Sequence, residues 1–357
     1  MTTSTEFHLI GLMSGTSGDG LDIAYCKFKY TQGWSFDIPH ADTVQFPKKL
    51  EKKLKKSHKL SGEKLSLLDV DFGKWMGEQV RDFCEKHGLN PQAVASHGHT
   101  VFHQPSKGLS LQIGNGWALH VASGLPVIND FRMLDVQLGG QGAPLVPIGD
   151  RLLFSEYDYC INLGGIANIS MEEEGKRLAF DICPFNLLFN HYAQHCGKAY
   201  DKNGELARSG KIIPKMLTAL NQLPFYAKTG AKSLGREDLE PYFAILDKGK
   251  HSPENILRTL LIHYVHQIKS VLKLKAGEKP KILITGGGAY NKFFMEVLEE
   301  ALADEFIIAA AGETLISFKE ALIFAFLGAL KLKGENNTLA SVTGASRDSC
   351  GGQAFGI

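Results

Sequence analysis

The sequence has few cysteines and no long apolar run. Its six cysteines are scattered over 357 residues, and no two of them form a CxxC pair. With 44% hydrophobic residues the chain can build a large core, so reduced thiols are expected, and a disulfide scaffold or zinc ribbon is excluded. The longest apolar stretch, Ala321–Leu330, is about half of what a membrane-spanning helix needs. No basic segment precedes an apolar run at the N-terminus, so no secretory signal is visible and we expect a cytoplasmic protein.

An excess of charge of one sign is also absent. The chain contains 39 lysines and arginines against 38 aspartates and glutamates, a net charge of +1. Such a chain has no overall field to attract nucleic acid or an anionic membrane, and we expect neither as a partner. The lysine-rich run Lys48–Lys59 carries Leu50, Leu54 and Leu60 on one face, which predicts a helix with solvated lysines rather than a nucleic-acid patch.

Three common phosphate-binding signatures are missing from the chain. It has no GxxxxGK[ST] loop and no GxGxxG that follows a strand and opens a helix. The HRD and DFG elements of eukaryotic protein kinases are missing as well. These absences exclude a Walker-type nucleotide site, the dinucleotide-binding fingerprint and the protein-kinase fold.

Glycine is abundant, and the 38 glycines cluster where apolar, β-branched runs end. Strands that end in glycine, mixed with helical segments, predict an α/β protein that binds ligands at its strand ends. A strand–glycine turn–strand unit occurs near residue 15 and again near residue 165, which is expected if two domains share one fold. The predicted strands are His8–Met13, Leu21–Phe28, Ala93–Ser96, Leu109–Ile113, Pro126–Ile128, Tyr159–Leu163, Ala167–Met171 and Lys281–Thr285; the predicted helices are Leu65–His87, Phe185–His195, Ile256–Leu272, Lys292–Ala303 and Phe318–Leu332.

The first glycine turn, GLMSGTSGDGLD at Gly11–Asp22, has the composition of a phosphate site. Its glycines let the backbone approach an anion, its hydroxyls donate hydrogen bonds, and its carboxylates can hold a hydrated Mg²⁺. An ordinary hairpin turn also favours Gly, Ser and Asp, but three hydroxyls and two acids exceed what a turn requires. The hydroxyls are Ser14, Thr16 and Ser17, and the acids are Asp19 and Asp22.

That turn is also the first of a series of motifs that cover essentially the whole chain. Together they resemble the anhydro-N-acetylmuramic acid kinases of the actin/hexokinase/heat-shock-chaperone ATPase superfamily. The further motifs are ASHGHTVFHQP, LQIGNG, NDFRMLDVQLGGQGAPLVP, INLGGIANIS, FDICPFN, YDKNGELARSG, KSLGRE, ITGGGAYN, KEALIFAFLG and SVTGAS, which lie between Ala95 and Ser346 in this order.

The resemblance implies an architecture and a reaction. The architecture is α/β, with two ribonuclease-H-like lobes and a nucleotide cleft between them; residues 1–127 plus about 335–357 would form the first lobe and 128–334 the second. The implied reaction opens the internal bridge of 1,6-anhydro-N-acetylmuramic acid with water and phosphorylates its 6-hydroxyl from ATP and Mg²⁺. The resemblance also implies a homodimer.

Site residues follow from the resemblance position by position. The catalytic residues would be Asp181, as the base that activates water, and Glu320, facing the sugar. Substrate would contact Ser14, His99, Thr100, Asp130 and Asp135, and Mg²⁺ would be held by Asp19, directly or through water. The nucleotide would contact Gly15, Thr16, Ser17, Gly18, Asp19, Gly20, Leu21, Asp22, Gly164, Gly165, Gly286, Gly287, Gly288 and Asn291.

Several of these residues have a plain structural alternative. Asp181 precedes a predicted helix and could be its N-cap. Glu320 could be a solvated helical charge, and Asp130 and Asp135 could be satisfied carboxylates of a structural turn. Neither histidine pair, His97 with His99 or His191 with His195, brings a third ligand at a familiar zinc spacing.

Departures from the family pattern leave the substrate open. Leu134 stands where the family has a second arginine that helps to bind the anionic lactyl group, and His99 stands where glutamine is common. Ile182, Cys183 and Phe185 replace residues that include two glycines. Two alternatives therefore remain: a kinase for a neutral 1,6-anhydro sugar such as levoglucosan, and a nucleotide-binding protein of the same fold without catalysis.

Overall fold

The computed structural model describes residues 5–14, 20–228, 230–274 and 277–357, with residue 236 described by its backbone only. Residue contacts divide the chain into two compact units. The first contains the residues up to Phe154 together with Phe318–Ile357, and the second contains Ser155–Ser317. Within the described ranges, no helix combines the length and apolarity that crossing a membrane requires.

The first unit is built on a six-stranded sheet. Three antiparallel strands come first along the chain, and two further strands lie parallel to the first of them. In the order β13-β7-β4-β1-β2-β3, the strands are Gln353–Phe355 (β13), Val127–Asn129 (β7), Ala93–Ser96 (β4), Thr5–Ser14 (β1), Gly20–Tyr30 (β2) and Trp34–Gln45 (β3); His99–Gln104 (β5) and Leu109–Ile113 (β6) form a separate hairpin. The helices are Lys48–Lys55 (α1), Gly62–His87 (α2), Gly116–Ser123 (α3), Met133–Gln137 (α4), Pro147–Leu153 (α5), Glu313–Lys333 (α13, from Phe318 onwards) and Ala340–Thr343 (α14), with 3₁₀ turns at Ser57–Lys59 and Pro105–Lys107.

The second unit repeats the same topology on a five-stranded sheet. Its first three strands are antiparallel, and the last two lie parallel to the first. In the order β10-β9-β8-β11-β12, the strands are Lys176–Pro184 (β10), Ile166–Glu173 (β9), Tyr159–Leu163 (β8), Lys281–Thr285 (β11) and Ile307–Ala309 (β12). The helices are Asn186–Gln194 (α6), Glu205–Ser209 (α7), Pro214–Asn221 (α8), Pro224–Ala227 (α9), Glu240–Leu246 (α10), Pro253–Val271 (α11) and Lys292–Leu302 (α12), with 3₁₀ turns at Lys202–Gly204, Arg236–Leu239 and Gly287–Tyr290.

The shared strand order confirms the prediction of two ribonuclease-H-like units. When only the strands of each sheet are numbered along the chain, the third, second, first, fourth and fifth lie side by side in that order in both units, and the first sheet adds β13 beyond its fifth strand. The glycine turn predicted after β8 lies between the first and second strands of its sheet. The glycine-rich segment predicted as a turn after β1 lies outside the described residues, and the strands on either side of it, β1 and β2, pair antiparallel.

The bounds of the compact units differ from those predicted for the lobes. Strand β7 pairs with β4 and with β13, so residues 127–129 belong to the first sheet. Helix α13 packs against the same sheet, because a Cβ on Gly328 would lie 2.7 Å from Ala95 Cβ and 3.0 Å from Leu9 Cδ2. These contacts place Phe318–Leu330 with the first unit instead of the second. The assignment of functional lobes stays a prediction.

Candidate active site

Asp181 lies on β10, the edge strand of the second sheet, at a bulge. The pairing of β10 with β9 shifts register between Asp181 and Cys183. The carboxyl is half-buried, and its Oδ2 accepts a hydrogen bond from the Leu234 N–H at 2.8 Å. Burial raises the pKa of Asp181 to about 6, against a smaller lowering by that N–H. A carboxylate with this pKa is ionised at neutral pH and can still accept a proton, as a general base must.

The alternative role of Asp181 as a helix cap does not fit the structure. Helix α6 begins at Asn186, and its N-cap position is Phe185. The first N–H groups of α6 are taken by the preceding turn: those of Phe185 and Leu187 donate to the Gly165 carbonyl and that of Asn186 to the Gly164 carbonyl. Asp181 therefore has no N-terminus to cap.

Two glycine turns of the second unit lie side by side. The Gly164–Gly165 turn connects β8 to β9, and Gly286–Gly288 follows β11, which is the neighbour of β8. A Cβ on Gly286 would lie 2.5 Å from Asn162 Oδ1 and 3.0 Å from the Leu163 backbone, so the turns touch through the end of β8. The structure thus brings together the predicted nucleotide-binding glycines of this unit.

Gly287 is the glycine that fits a nucleotide best. Gly286 needs its positive φ of 83°, and Gly288 is confined by Phe185 and Leu163. Gly287 is exposed, and a Cβ there would have no protein atom within 4 Å. The protein itself does not exclude a side chain at Gly287, so its bare backbone suits the close approach of a ligand. Asn291 has a structural contact instead: its Oδ1 caps α12 by accepting from the Phe294 N–H at 3.1 Å.

In the first unit, Ser14 and His99 form a contact between β1 and β5. Ser14 is buried, and its Oγ lies 3.3 Å from His99 Nδ1. Burial lowers the pKa of His99, while a hydrogen bond to the Leu54 carbonyl raises it. The neutral ring therefore donates to Leu54 and accepts from Ser14, by the logic of the hydrogen-bond network. Thr100 is the next residue on β5, and its Oγ1 accepts from Gln112 Nε2 at 3.4 Å.

Glu320 belongs to a charged cluster in the first unit. Its side chain keeps contact with solvent, yet the surrounding protein raises the pKa of its carboxyl by desolvation. The Arg132 guanidinium lowers the pKa of Glu320, and the Asp22 carboxylate raises it. Glu320 is thus an exposed carboxyl on α13 whose pKa responds to both Arg132 and Asp22, and its role in the site stays a prediction. Asp22 itself accepts from Thr43 Oγ1 at 2.6 Å, and its pKa is raised by burial.

Arg132 is a site residue that sequence reasoning missed. Its Nε and Nη2 point at His97 Nε2, at 3.2 and 2.9 Å, and its Nη1 donates to the Gly142 carbonyl at 2.7 Å. His97 must accept at Nε2, so its Nδ1–H donates to the Gly98 carbonyl at 2.9 Å. Burial lowers the pKa of Arg132 to about 10, so the guanidinium remains a cation at neutral pH. The signal was present, since Arg132 lies in the motif NDFRMLD beside Asp130.

Asp130 and Asp135 have different environments in the structure. Asp130 lies after β7 with a positive φ of 56°, remains partly exposed, and accepts from Gln353 Nε2 at 3.1 Å. Asp135 is 1% exposed, with one oxygen bonded to the Gly142 N–H and the other to Thr343 Oγ1, both at 2.7 Å. The geometry of Asp135 favours the structural alternative over contact with a substrate.

The residues that depart from the family pattern fall into two groups. Ile182, Cys183 and Phe185 are fully buried core residues, and the Phe185 ring packs 4.8 Å from Phe294 and 5.0 Å from Tyr264 between ring centroids. Leu134, in α4, is instead 41% exposed. The first group therefore fills the core beneath the glycine turns, and Leu134 presents an apolar surface.

The predicted Mg²⁺ ligand, Asp19, lies outside the described residues, as do Gly15, Thr16, Ser17 and Gly18. Gly20 and Leu21 open β2 beside Asp22. Among the described residues, no three His, Cys, Asp or Glu side chains form a metal cluster. Mg²⁺ is commonly held by one or two carboxylates, waters and substrate phosphates, and the Asp22 carboxylate fits such a donor set.

Two ribonuclease-H-like units with the same strand order define the class of protein. This is the architecture of the actin, hexokinase and heat-shock-chaperone ATPases. A sequence model of the family described as anhydro-N-acetylmuramic acid kinase matches residues 7–356. The chain belongs to this family.

Individual relatives agree over nearly the whole length. The chain is 34% identical over 353 residues to the anhydro-N-acetylmuramic acid kinase of Pseudomonas fluorescens, which covers 94% of this chain and 96% of the relative. It is 32% identical over 358 residues to that of Aliivibrio fischeri, covering 95% and 96%. Among solved structures, component A of the (R)-2-hydroxyglutaryl-CoA dehydratase of Acidaminococcus fermentans is similar at 14% identity and a TM-score of 0.43, covering 92% of this chain and 100% of that one.

Proposed function

We propose that the protein is an ATP-dependent sugar kinase that opens 1,6-anhydro-N-acetylmuramic acid with water and phosphorylates its 6-hydroxyl. The product is N-acetylmuramic acid 6-phosphate, an intermediate of cell-wall recycling. Family membership over residues 7–356 supports the reaction class. The observation that carries the mechanism is the half-buried Asp181 carboxyl with a pKa of about 6.

In the proposed reaction Asp181 accepts a proton from water while the water oxygen bonds to the anomeric carbon. The bond between that carbon and the bridging oxygen breaks, and this oxygen becomes the 6-oxygen that takes the γ-phosphoryl group as ADP leaves. Bound ATP and Mg²⁺ supply the phosphoryl group and the neutralisation of its charge. The base must be held in place, because a general base contributes about 10²–10⁴-fold only when it is positioned.

The remaining site residues have binding roles in this proposal. Glycine turns such as Gly286–Gly288 offer backbone to the phosphates. In the first unit Ser14, His99 and Thr100 bind the sugar. Arg132 is a cation that can pair with the carboxylate of the lactyl group, and a charge-assisted hydrogen bond of this kind contributes about 1.5–3 kcal/mol.

A second candidate substrate is a neutral anhydro sugar such as levoglucosan. The observation that favours it is Leu134, an exposed apolar side chain where the family has an arginine for the lactyl group. Loss of that arginine alone would cost roughly 10–150-fold in affinity for the anionic sugar.

One experiment separates the candidates. Purified protein is incubated with ATP, Mg²⁺ and either 1,6-anhydro-N-acetylmuramic acid or levoglucosan, and both ADP and sugar 6-phosphate are quantified. Product from the muramic sugar alone supports the proposal, and product from levoglucosan alone supports the second candidate. ATP binding without product from any sugar would leave the non-catalytic alternative. An Asp181→Asn sample controls for contaminating kinases.

The setting of the reaction is part of the same proposal. We expect a cytoplasmic enzyme that acts on a small sugar as a homodimer, with neither nucleic acid nor membrane as a partner. Sedimentation of the purified protein across a concentration series tests the dimer; a monomer at every concentration would contradict it.

A further inference from the structure

A short segment of the second unit, Lys232–Leu234, lies along the open edge of β10 beside Asp181. Strand β10 is the edge strand of its sheet, so its outer backbone groups need other partners. The Asp181 N–H donates to the Lys232 carbonyl at 2.8 Å. Two residues further on, the Leu234 N–H donates to Asp181 Oδ2, also at 2.8 Å. The segment is therefore hydrogen-bonded to both the backbone and the carboxylate of Asp181.

The segment is anchored at both of its ends. The Lys232 ammonium lies 4.8 Å from the centroid of the Phe225 ring and 6.0 Å from that of the Phe180 ring. Phe225 is a buried residue of α9, and Phe180 directly precedes Asp181 on β10. A lysine between two aromatic rings is held by cation–π attraction. At the other end, the Leu234 side chain is buried.

We propose that Lys232 and Leu234 are positioning residues for the general base. Lys232, held by Phe225 and Phe180, fixes the segment against β10, and the Leu234 N–H fixes the Asp181 carboxylate in orientation and charge. This inference rests on the proposed function, in which Asp181 activates water. It assigns a task to the KSLGRE motif, which neither the phosphate turns nor the sugar-binding residues account for.

The charges around Asp181 indicate which change to expect. Asp181 is flanked by the buried Cys183 thiol on β10 and faces the uncharged Asn168 on β9. The Lys232 ammonium acts on the Cys183 thiol, and Lys228 acts on Lys232. Burial raises the pKa of Asp181, and the Leu234 N–H opposes that rise. Loss of the N–H therefore moves the pKa upwards, and less of the base is ionised at a given pH.

The first test compares Leu234→Pro with Leu234→Ala. Proline removes the N–H and the side chain, whereas alanine keeps the N–H and removes most of the side chain. In the pH profile of kcat/KM, we expect the acid limb of Leu234→Pro to move upwards by about one pH unit relative to Leu234→Ala, the scale of one hydrogen bond to a charged group. Identical acid limbs in the two variants would overturn the proposal.

The second test covers the case in which the proline variant does not fold. Lys232→Met should raise the acid limb in the same direction, and Lys232→Arg, which keeps the cation, should restore it. Lys228→Met is the matched control, because Lys228 also lies near the Phe225 ring, at 6.0 Å, without flanking Asp181. A Lys232→Met enzyme with a raised KM and an unchanged acid limb would mean that Lys232 binds substrate, and the positioning role would be wrong.

A readout that needs no turnover keeps the inference separate from the proposed function. The Asp181 carboxyl can be titrated by carbon NMR in protein with labelled aspartate, with Asp181→Asn for assignment. A higher pKa in Lys232→Met than in Lys228→Met supports the positioning role even if no anhydro sugar is phosphorylated. Equal values contradict it even if the wild-type protein is an active kinase.

Discussion

Asp181 combines the two properties that a base for water activation needs at the scale of one residue. It is buried enough for its pKa to rise to about 6, and it is held by a backbone N–H. Asp181→Asn preserves the shape and removes the proton acceptor. We predict a loss of about 10²–10⁴-fold in kcat with an unchanged circular dichroism spectrum, measured by steady-state release of ADP. Turnover close to that of the wild-type protein would remove Asp181 from the mechanism.

The ionised Asp181 carboxyl lowers the free energy of unfolding, and this effect depends on pH. A pKa raised from 3.8 to about 6 means that the stability contributed by the protonated form is present below about pH 4 and is lost as the pH rises through about 6. We predict that Asp181→Asn is more stable than the wild-type protein by about 1–3 kcal/mol at pH 8 and equal to it at pH 4, in urea unfolding. A variant that is less stable at pH 8 would contradict this assignment.

His99 gives the site a titratable group where the family commonly has glutamine. Its pKa is lowered by burial, so the ring is neutral at pH 7 and accepts from Ser14, and protonation at lower pH ends that acceptance. We predict that sugar affinity, measured by calorimetry in the Asp181→Asn background, falls as the pH is lowered below 6.5, the ordinary pKa of histidine. In the same background His99→Gln should lack this fall; the same fall in both proteins would contradict the role of His99.

At the scale of elements, adjacent glycines of one turn have different reasons to be glycine. A Cβ on Gly288 would lie 2.4 Å from the Phe185 ring and 2.7 Å from Leu163 Cβ, whereas a Cβ on Gly287 would meet nothing. We predict that Gly288→Ala destabilises the protein by about 1–3 kcal/mol, while Gly287→Ala changes stability by less than about 0.5 kcal/mol.

The functional half of that prediction concerns ATP. Because Gly287 is proposed to present bare backbone to the nucleotide, Gly287→Ala should raise KM for ATP at least about tenfold, the scale of one charged hydrogen bond. Thermal melts of the two variants test the predicted stabilities, and initial rates test the predicted KM for ATP. A Gly287→Ala enzyme with unchanged KM for ATP would exclude this turn from the nucleotide site.

Elements with strong local signals could be predicted from the sequence, and an edge strand could not. The glycine turns after β1 and β8 follow apolar strands, and the bounds of β4, β6, β8 and β11 agree with the prediction to the residue. Strand β3 was missed, because Trp34–Gln45 contains Pro39 and lies at the sheet edge, where one side of the strand stays unpaired and a proline is tolerated. The amphipathic helix predicted from the lysine-rich run is confirmed for Lys48–Lys55 (α1), with Leu54 buried, but the helix ends before Ser57–Lys59, which form a 3₁₀ turn, and does not include Leu60.

Site residues that lie within a recognisable sequence motif could be predicted. Residues whose role depends on contacts with distant parts of the chain could not. Asp181 and Glu320 stand in motifs. Arg132 could not be recognised without its contact with His97, nor Lys232 without its contacts with Phe225 and β10, because only the folded chain creates these contacts. Likewise, Asp135 Oδ1 has its hydrogen-bond partner in Thr343, which is distant in sequence.

At the scale of the whole molecule, both units of the duplicated fold serve one proposed reaction. The two units share one strand order. The second unit contains Asp181, the proposed base, and the first contains Arg132, Asp22 and Glu320, whose charges influence one another. This division fits a protein that must bind both a nucleotide and a sugar and activate a water molecule.

Tracing the solvent oxygen tests directly whether water opens the internal bridge of the sugar. The reaction is run with ATP, Mg²⁺ and 1,6-anhydro-N-acetylmuramic acid in water enriched in the heavy oxygen isotope, and the product is analysed by mass spectrometry at early times. Unlabelled product in the same water controls for spontaneous exchange. We predict one heavy oxygen at the anomeric carbon and none in the phosphate. Product that forms without solvent oxygen at the anomeric carbon would contradict the opening of the bridge by water.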